Sequence, residues 1–359
     1  MTVRNKGGRE SAKPGGTAGN EIISPVPAVK SGDGVFCMET PSGKNGGGLL
    51  KEKVVILGAG HVGSHVAMAL AADAVCGEIV LVDKVPGKAE AQAADIADSL
   101  SFRRDVPEVR AGSCRDCADA AVTVCAIGKP REAGQTRLDL LKDSVVMVTD
   151  LARSLKATPP GGLVISITNP CDIIAGCLRE ALGIDRRRCF GTGTLLDTAR
   201  LKRILSEQTR CPRGDIRALV MGEHGDSFMI PFSFLRVMGN PAAGAPGFDP
   251  GEALRRTRQT GMDIIEGKGS TEFGIGEAAA FLIRVILTDE KTELPLSVSL
   301  EGEYGAEGVS CGVPCLVGRD GIEKIIGIDL TEDERKAFDC SLDVLKKYTD
   351  TAKQYAEDE

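Results

Sequence analysis

Histidine is scarce in this chain: His61, His65 and His224 are the only three in 359 residues. The scarcity bears first on metals. His61 and His65 stand four apart at the start of one helical stretch, with no HExxH pattern and no third ligand beside them. They are therefore expected to be incidental, and no metal site is expected. Twelve cysteines occur at irregular spacing. The pairs in "CRDC" (residues 114–117) and "CGVPC" (residues 311–315) lie far apart with no histidine near, so they lack the converging ligands of structural zinc. Small, buried or half-buried thiols in a reducing cytosol are the expectation. Long apolar runs are also missing. None approaches the ~20 residues of a membrane span, and the N-terminus has no apolar signal core. An excess of cations is missing too: 44 Lys and Arg face 51 Asp and Glu, a net charge of −7. Such a surface repels nucleic acid and anionic membrane, so an anionic ligand needs a locally positive pocket. A cytoplasmic protein without nucleic-acid or membrane partners is expected.

What is present is an ordinary globular composition, 42% hydrophobic and 26% charged, in a chain long enough for two domains. Residues 1–50 stand apart. "KGGRESAKPGGTAGN" and "PSGKNGGGLL" are rich in Gly, Lys and Ser and predict a flexible extension, with "IISPVPAVKSGDGVFCME" between them as an arm that could dock. Its acids and glycines argue against a transit peptide. Over residues 51–196 strands and helices alternate. "KVVIL", "EIVLVD", "AAVTVCAIG" and "GLVISITNP" are buried-strand patterns, separated by helical stretches such as "GKAEAQAADIADSL". The alternation predicts an α/β fold, a doubly wound parallel (Rossmann) sheet with ligands at the strands' carboxyl ends. Over residues 197–359 helices such as "EAAAFLIRVIL" mix with the short strand patterns "IRALVMG", "LPLSVSL" and "GVPCLV". This predicts a second, α+β domain closed by an amphipathic helix from about 332 to 355.

"GAGHVG", residues 58–63, fits G-x-G-x-x-G. It follows a strand, opens a helix, and is followed by Asp83 at the end of the next strand. Gly58 suits the tight turn, Gly60 the approach of a pyrophosphate and Gly63 close helix–strand packing. The helix N-terminus supplies amides and a positive dipole end. Asp83 would accept from both ribose hydroxyls and repel a 2′-phosphate, so NAD is the expected cofactor.

Four further stretches carry polar groups. "GKPREAGQTRLDLL" is a post-strand loop with Arg131 and Arg137 six apart, able to close over an anion or simply to solvate two cations. "ITNP" puts Asn169 at a strand's carboxyl end, or at a plain Asn-Pro turn. "LLDTAR" sets Asp197 and Arg200 on one helix face, as a local ion pair or a working one. "GEHGDS" holds His224. Together they suit hydride transfer on a small hydroxy acid. Arg200 would grip the carboxylate and His224 would take the hydroxyl proton. Asp197 would fix the imidazole tautomer, and Arg137 would polarise the carbonyl. Adjacent Glu223 and Asp226 are expected to shape the loop.

With "GAGHVG", "LVD", "GKPREAGQTRLDLL", "TNPCDI", "GTGTLLDTAR", "GEHGDS", "KGSTEFGIG" and "LPLSVSLEGEYG" in this order, the chain resembles the L-lactate/malate dehydrogenase family over nearly all of residues 52–355. The resemblance implies His224 as proton acceptor, Asp197 as its partner, Arg200 as carboxylate clamp and Arg137 as the loop arginine. It implies that Asn169 touches both cofactor and substrate, that Val62, Asp83 and Gly128 line the NAD site, and that Thr271 lines the substrate pocket. It also implies a homo-oligomer, dimer or tetramer. Lys202 and Arg217 stand where an arginine and a histidine serve sugar-bisphosphate activation in some relatives, with charge kept but identity changed. Arg131 matches the loop position that separates substrates. An arginine there pairs with the second carboxylate of oxaloacetate, whereas lactate enzymes usually carry glutamine. Malate/oxaloacetate is therefore the expected substrate pair, although Thr271 and Ile275 resemble the lactate branch. Lactate/pyruvate is the alternative, and a catalytically silent NAD-binding protein is the alternative of another class.

Overall fold

The computed structural model describes residues 52–129 and 137–357; the first 51 residues and Arg131 lie outside the described residues, as does the side chain of Arg137. The first half alternates strand and helix in the expected way. In chain order come β1 (Lys53–Leu57), α1 (His61–Ala72), β2 (Glu78–Val82), α2 (Pro86–Leu100), β3 (Glu108–Ala111) and β4 (Val122–Cys125). They are followed by α3 (Arg137–Lys156), β5 (Leu163–Ser166), α4 (Cys171–Leu182) and β6 (Cys189–Gly191). All six strands pair in parallel, in the order β3-β2-β1-β4-β5-β6. The central strands are continuous apolar runs because helices cover both of their faces. The order reverses between β1 and β4, the switch point outside whose carboxyl ends ligands bind in sheets of this kind.

The second half contains α5 (Leu195–Thr209), the short strands β7 (Ile216–Arg217), β8 (Arg236–Val237) and β9 (Asn240–Pro241), then α6 (Pro250–Lys268) and α7 (Phe273–Thr288). β10 (Thr292–Glu301), β11 (Glu307–Gly318), β12 (Gly321–Ile325) and α8 (Glu332–Glu357) complete it. β10 pairs antiparallel with β6 at Ser297–Gly191, so β10, β11 and β12 extend the parallel sheet to nine strands. Only β7, β8 and β9 form a separate sheet.

"IRALVMG" forms less strand than its pattern predicts, because side chains take over its backbone bonds. Thr194 Oγ1 donates to the Val220 carbonyl at 2.6 Å, and the Val220 amide donates to Thr198 Oγ1 at 2.9 Å. The chain then turns at Gly222, whose φ of +94° and close contact with Ser341 suit glycine alone.

α7 is buried along most of its length and packs on α1. His65 belongs to this seam: its ring meets Phe273 edge-on at 4.6 Å, and its Nδ1 lies 2.6 Å from the His61 carbonyl. His61 Nδ1 stands 3.6 Å from Glu272 Oε2. His65 is thus a helix-packing group, whereas His61 is exposed at the start of α1. Among the described residues all eleven cysteines are free thiols, no acid, His and Cys cluster could hold a metal, and no helix is long and apolar enough to cross a membrane.

Candidate active site

The glycine loop is built from backbone collisions that only glycine avoids. Gly58 has φ +109°, and a Cβ there would strike the Ala126 carbonyl. A Cβ on Gly63 would overlap the Gly58 carbonyl, so α1 could not sit this close to β1. Gly60 differs. Its φ of −80° is open to any residue, and an added Cβ would meet only Lys88 Nζ, at 3.8 Å. Among the described residues nothing demands glycine at 60, and it faces open space beside the first amides of α1. That space fits the pyrophosphate of NAD.

Asp83 closes the loop from the end of β2. Its Oδ2 accepts the Ala59 amide at 2.9 Å and its Oδ1 the Val85 amide at 3.1 Å. Val62 packs its side chain toward the core, and Gly128 leaves open space at the mouth of β4. Asn169 follows β5, its carbonyl held by Ser144 Oγ at 2.8 Å. The residues expected to bind cofactor therefore share the carboxyl edge of the sheet.

His224 sits on the loop between β7 and β8, against the start of α5. Its Nδ1 lies 2.6 Å from Asp197 Oδ2, and Arg200 Nη1 donates to Asp197 Oδ1 at 3.0 Å. One carboxylate thus holds an imidazole and a guanidinium together. The local Asp197–Arg200 pair and the Asp197–His224 partnership are the same arrangement. Asp197 is buried, whereas the His224 side chain keeps 23% of its surface. The charge of Asp197 pushes the His224 imidazole up to about 9; burial opposes this, and their hydrogen bond and Asp172 add to it. Burial pushes Asp197 up, but the charge and hydrogen bond of His224, with help from Arg200, outweigh it and hold the carboxyl below its ordinary value.

The loop carrying His224 is anchored on three sides. Gly222 exchanges both backbone bonds with Gly312 of β11 at 2.9 Å. The Glu223 amide donates to Ser341 Oγ of α8 at 2.8 Å, and the His224 amide to Asp172 Oδ2 of α4 at 2.7 Å. Glu223 shapes the loop as expected, accepting the Ser227 hydroxyl and amide at 2.6 and 3.1 Å.

Sequence reasoning singled out neither Asp172 nor Ser341. Asp172 stands in the first turn of α4, where an acid is favourable without any site behind it. Ser341, on the buried face of a helix 118 positions from Glu223, gives no signal at all.

Arg200 and Thr271 line one cavity of about 700 Å³, between α5, α6 and the α6–α7 turn. α6 approaches the Arg200 guanidinium through Gly261. A second cavity, also about 700 Å³, lies on the far side of α5 with Lys202, Arg203, Arg213 and Arg217 in its wall. There Arg217 pairs with Glu293 at 2.8 Å. Among the described residues no hydrogen bond joins Asn169 or the glycine loop to the His224–Asp197–Arg200 group.

Residues 52–191 match the lactate/malate dehydrogenase NAD-binding domain, and residues 194–356 match the lactate/malate dehydrogenase alpha/beta C-terminal domain. The chain belongs to the lactate/malate dehydrogenase family. It is 38% identical to the L-lactate dehydrogenase of Fusobacterium nucleatum over 86% of this chain and 99% of that protein. It is 36% identical to the L-lactate dehydrogenase of Treponema denticola over 83% and 97%. Among solved structures, a lactate dehydrogenase from a Medee basin deep-sea metagenome superposes with a TM-score of 0.81 at 30% identity, covering 85% of this chain and 99% of that one. The malate dehydrogenase of Picrophilus torridus gives 0.81 at 28% identity, covering 86% and 100%. As in the family, the cofactor is NAD.

The two glycines should separate binding from folding. Gly60→Ala should leave the urea midpoint nearly unchanged and weaken NADH binding, read by fluorescence titration. Gly63→Ala should lower stability by about 1–3 kcal/mol through overpacking. Equal loss of stability in both variants would contradict this account of Gly60.

Proposed function

We propose that this chain interconverts L-lactate and pyruvate with NAD, and that His224 carries the proton. The 2.6 Å contact between His224 Nδ1 and Asp197 Oδ2 is the observation that carries the chemistry. It leaves Nε2 as the exchanging atom. When bound, NAD supplies or accepts the hydride. Arg200 holds the substrate carboxylate, and Asp197 keeps that guanidinium oriented while stabilising the imidazolium. Arg137, from the start of α3, polarises the carbonyl as it gains negative charge. His224 Nε2 gives its proton to the new hydroxyl oxygen, and takes one back in the reverse direction. Asn169 and Thr271 complete the substrate site, and Gly58, Gly60, Val62, Gly63, Asp83 and Gly128 the cofactor site. Cytoplasmic location and assembly into a dimer or tetramer belong to the same proposal.

Near full-length similarity to proteins named L-lactate dehydrogenase supports lactate over malate. The preference for malate drawn from Arg131 becomes the second reading. What favours it is that one cation, suited to a second substrate carboxylate. A silent NAD-binding protein fits poorly, since a buried acid, an imidazole and a guanidinium are held together at some cost in desolvation.

Initial rates of NADH oxidation with pyruvate and with oxaloacetate should favour pyruvate; faster turnover of oxaloacetate overturns the lactate assignment in favour of malate. Arg131→Gln should cut the oxaloacetate rate relative to pyruvate by about ten- to a hundredfold, the size of one hydrogen bond to a charged group. The pH dependence follows from an imidazole titrating at about 9. Pyruvate reduction needs it charged, so kcat/KM should fall as pH rises through that value. Lactate oxidation needs it neutral and should rise over the same interval. A reduction profile falling near the ordinary histidine value, about 6.5, would contradict the role given to Asp197.

A further inference from the structure

His224 is gripped by two buried carboxylates, and only Asp197 touches its ring. The other, Asp172, is the second residue of α4 and is 2% exposed. Its Oδ2 accepts the His224 amide at 2.7 Å, across 52 positions of sequence. Among the described residues its Oδ1 has no partner within strict hydrogen-bond geometry, and the neighbouring Ser297 hydroxyl of β10 favours its charged form.

We propose that Asp172 is a positioning residue for proton transfer: it anchors the backbone of His224 from behind and lends its negative charge to the imidazolium. Accepting a single amide needs only a neutral oxygen, which asparagine or serine would supply. Burying a carboxylate instead is costly unless the charge has a use. The available use is at His224, whose charged form Asp172 favours alongside Asp197, while Arg200 opposes both. Burial pushes the Asp172 carboxyl up to about 6, and the Ser297 hydroxyl, the His224 amide and the His224 charge restrain it. It is therefore ionised at neutral pH and above, where the histidine works.

The other groups around the pair do not duplicate this effect. Glu223 of the same loop raises Asp172, and Cys311 of β11 is a buried thiol held neutral. Behind Asp172 lies a cavity of about 170 Å³, lined by Arg179 of α4, Glu301 of β10, Glu307 of β11 and Lys353 of α8. Its wall carries both signs.

This inference rests on His224 as the proton carrier, so His224→Asn is the control: turnover should be lost while NADH still binds. Asp172→Asn keeps an amide acceptor and removes the charge. It should lower the alkaline midpoint of kcat/KM for pyruvate reduction by about one unit, the effect of losing one nearby opposite charge. NADH affinity should stay the same. Asp172→Ser also removes the charge and serves if the asparagine variant folds poorly. Asp172→Glu restores the charge and should bring the midpoint back toward the unmutated value, with kcat reduced by the displaced loop. A role in folding alone would lower the melting temperature and leave the midpoint in place. An unmoved midpoint in a neutral variant that still binds NADH, or a midpoint in Asp172→Glu shifted as far as in Asp172→Asn, overturns the proposal. Retained turnover in His224→Asn would instead overturn the proton-carrier reading beneath it.

Discussion

A buried carboxylate against an imidazole is the constraint around which this molecule is arranged. Asp197 is removed from water and accepts from both His224 and Arg200. An acid in that position would protonate if left alone. It stays charged because two potential cations close on it, and in return it raises the proton affinity of the imidazole. Each member of the group needs the others, which is why the surrounding structure leaves them so little freedom.

That restriction comes from the sheet and its helices acting together. α5 presents Asp197 and Arg200 on one face, one helical turn apart. The histidine loop is fastened to β11 through Gly222, to α8 through Ser341 and to α4 through Asp172. β10 and β11 continue the sheet beyond β6. One continuous sheet therefore runs from the cofactor edge to the strand that anchors the histidine loop.

Much of this was legible in the sequence, for identifiable reasons. The parallel strands announced themselves as apolar runs ending in turns. The glycine loop carried its own confirmation in Asp83, and four polar stretches held groups that make chemical sense only together. Other features left no local trace. The nine-stranded sheet depends on a single pairing of Ser297 with Gly191, which periodicity cannot reveal. "IRALVMG" has a strand's composition but gives its central backbone bonds to two threonines. Asp172 drew no attention in the sequence, and nothing local marked His65 as a packing group of the α1–α7 seam. Arg131 carried the substrate expectation by itself. Full-length likeness to L-lactate dehydrogenases weighs against it, because selectivity is a property of a whole pocket and not of one cation.

The chemistry of the site turns on the Asp197 carboxylate raising the proton affinity of His224. With only three histidines in the chain, imidazole resonances can be assigned and titrated by NMR in the NADH-bound protein. One ring, absent from His224→Asn, should titrate well above the ordinary histidine range and fall toward it in Asp197→Asn. A His224 ring titrating near 6.5 in the unmutated protein, or unmoved by loss of the Asp197 charge, would contradict it.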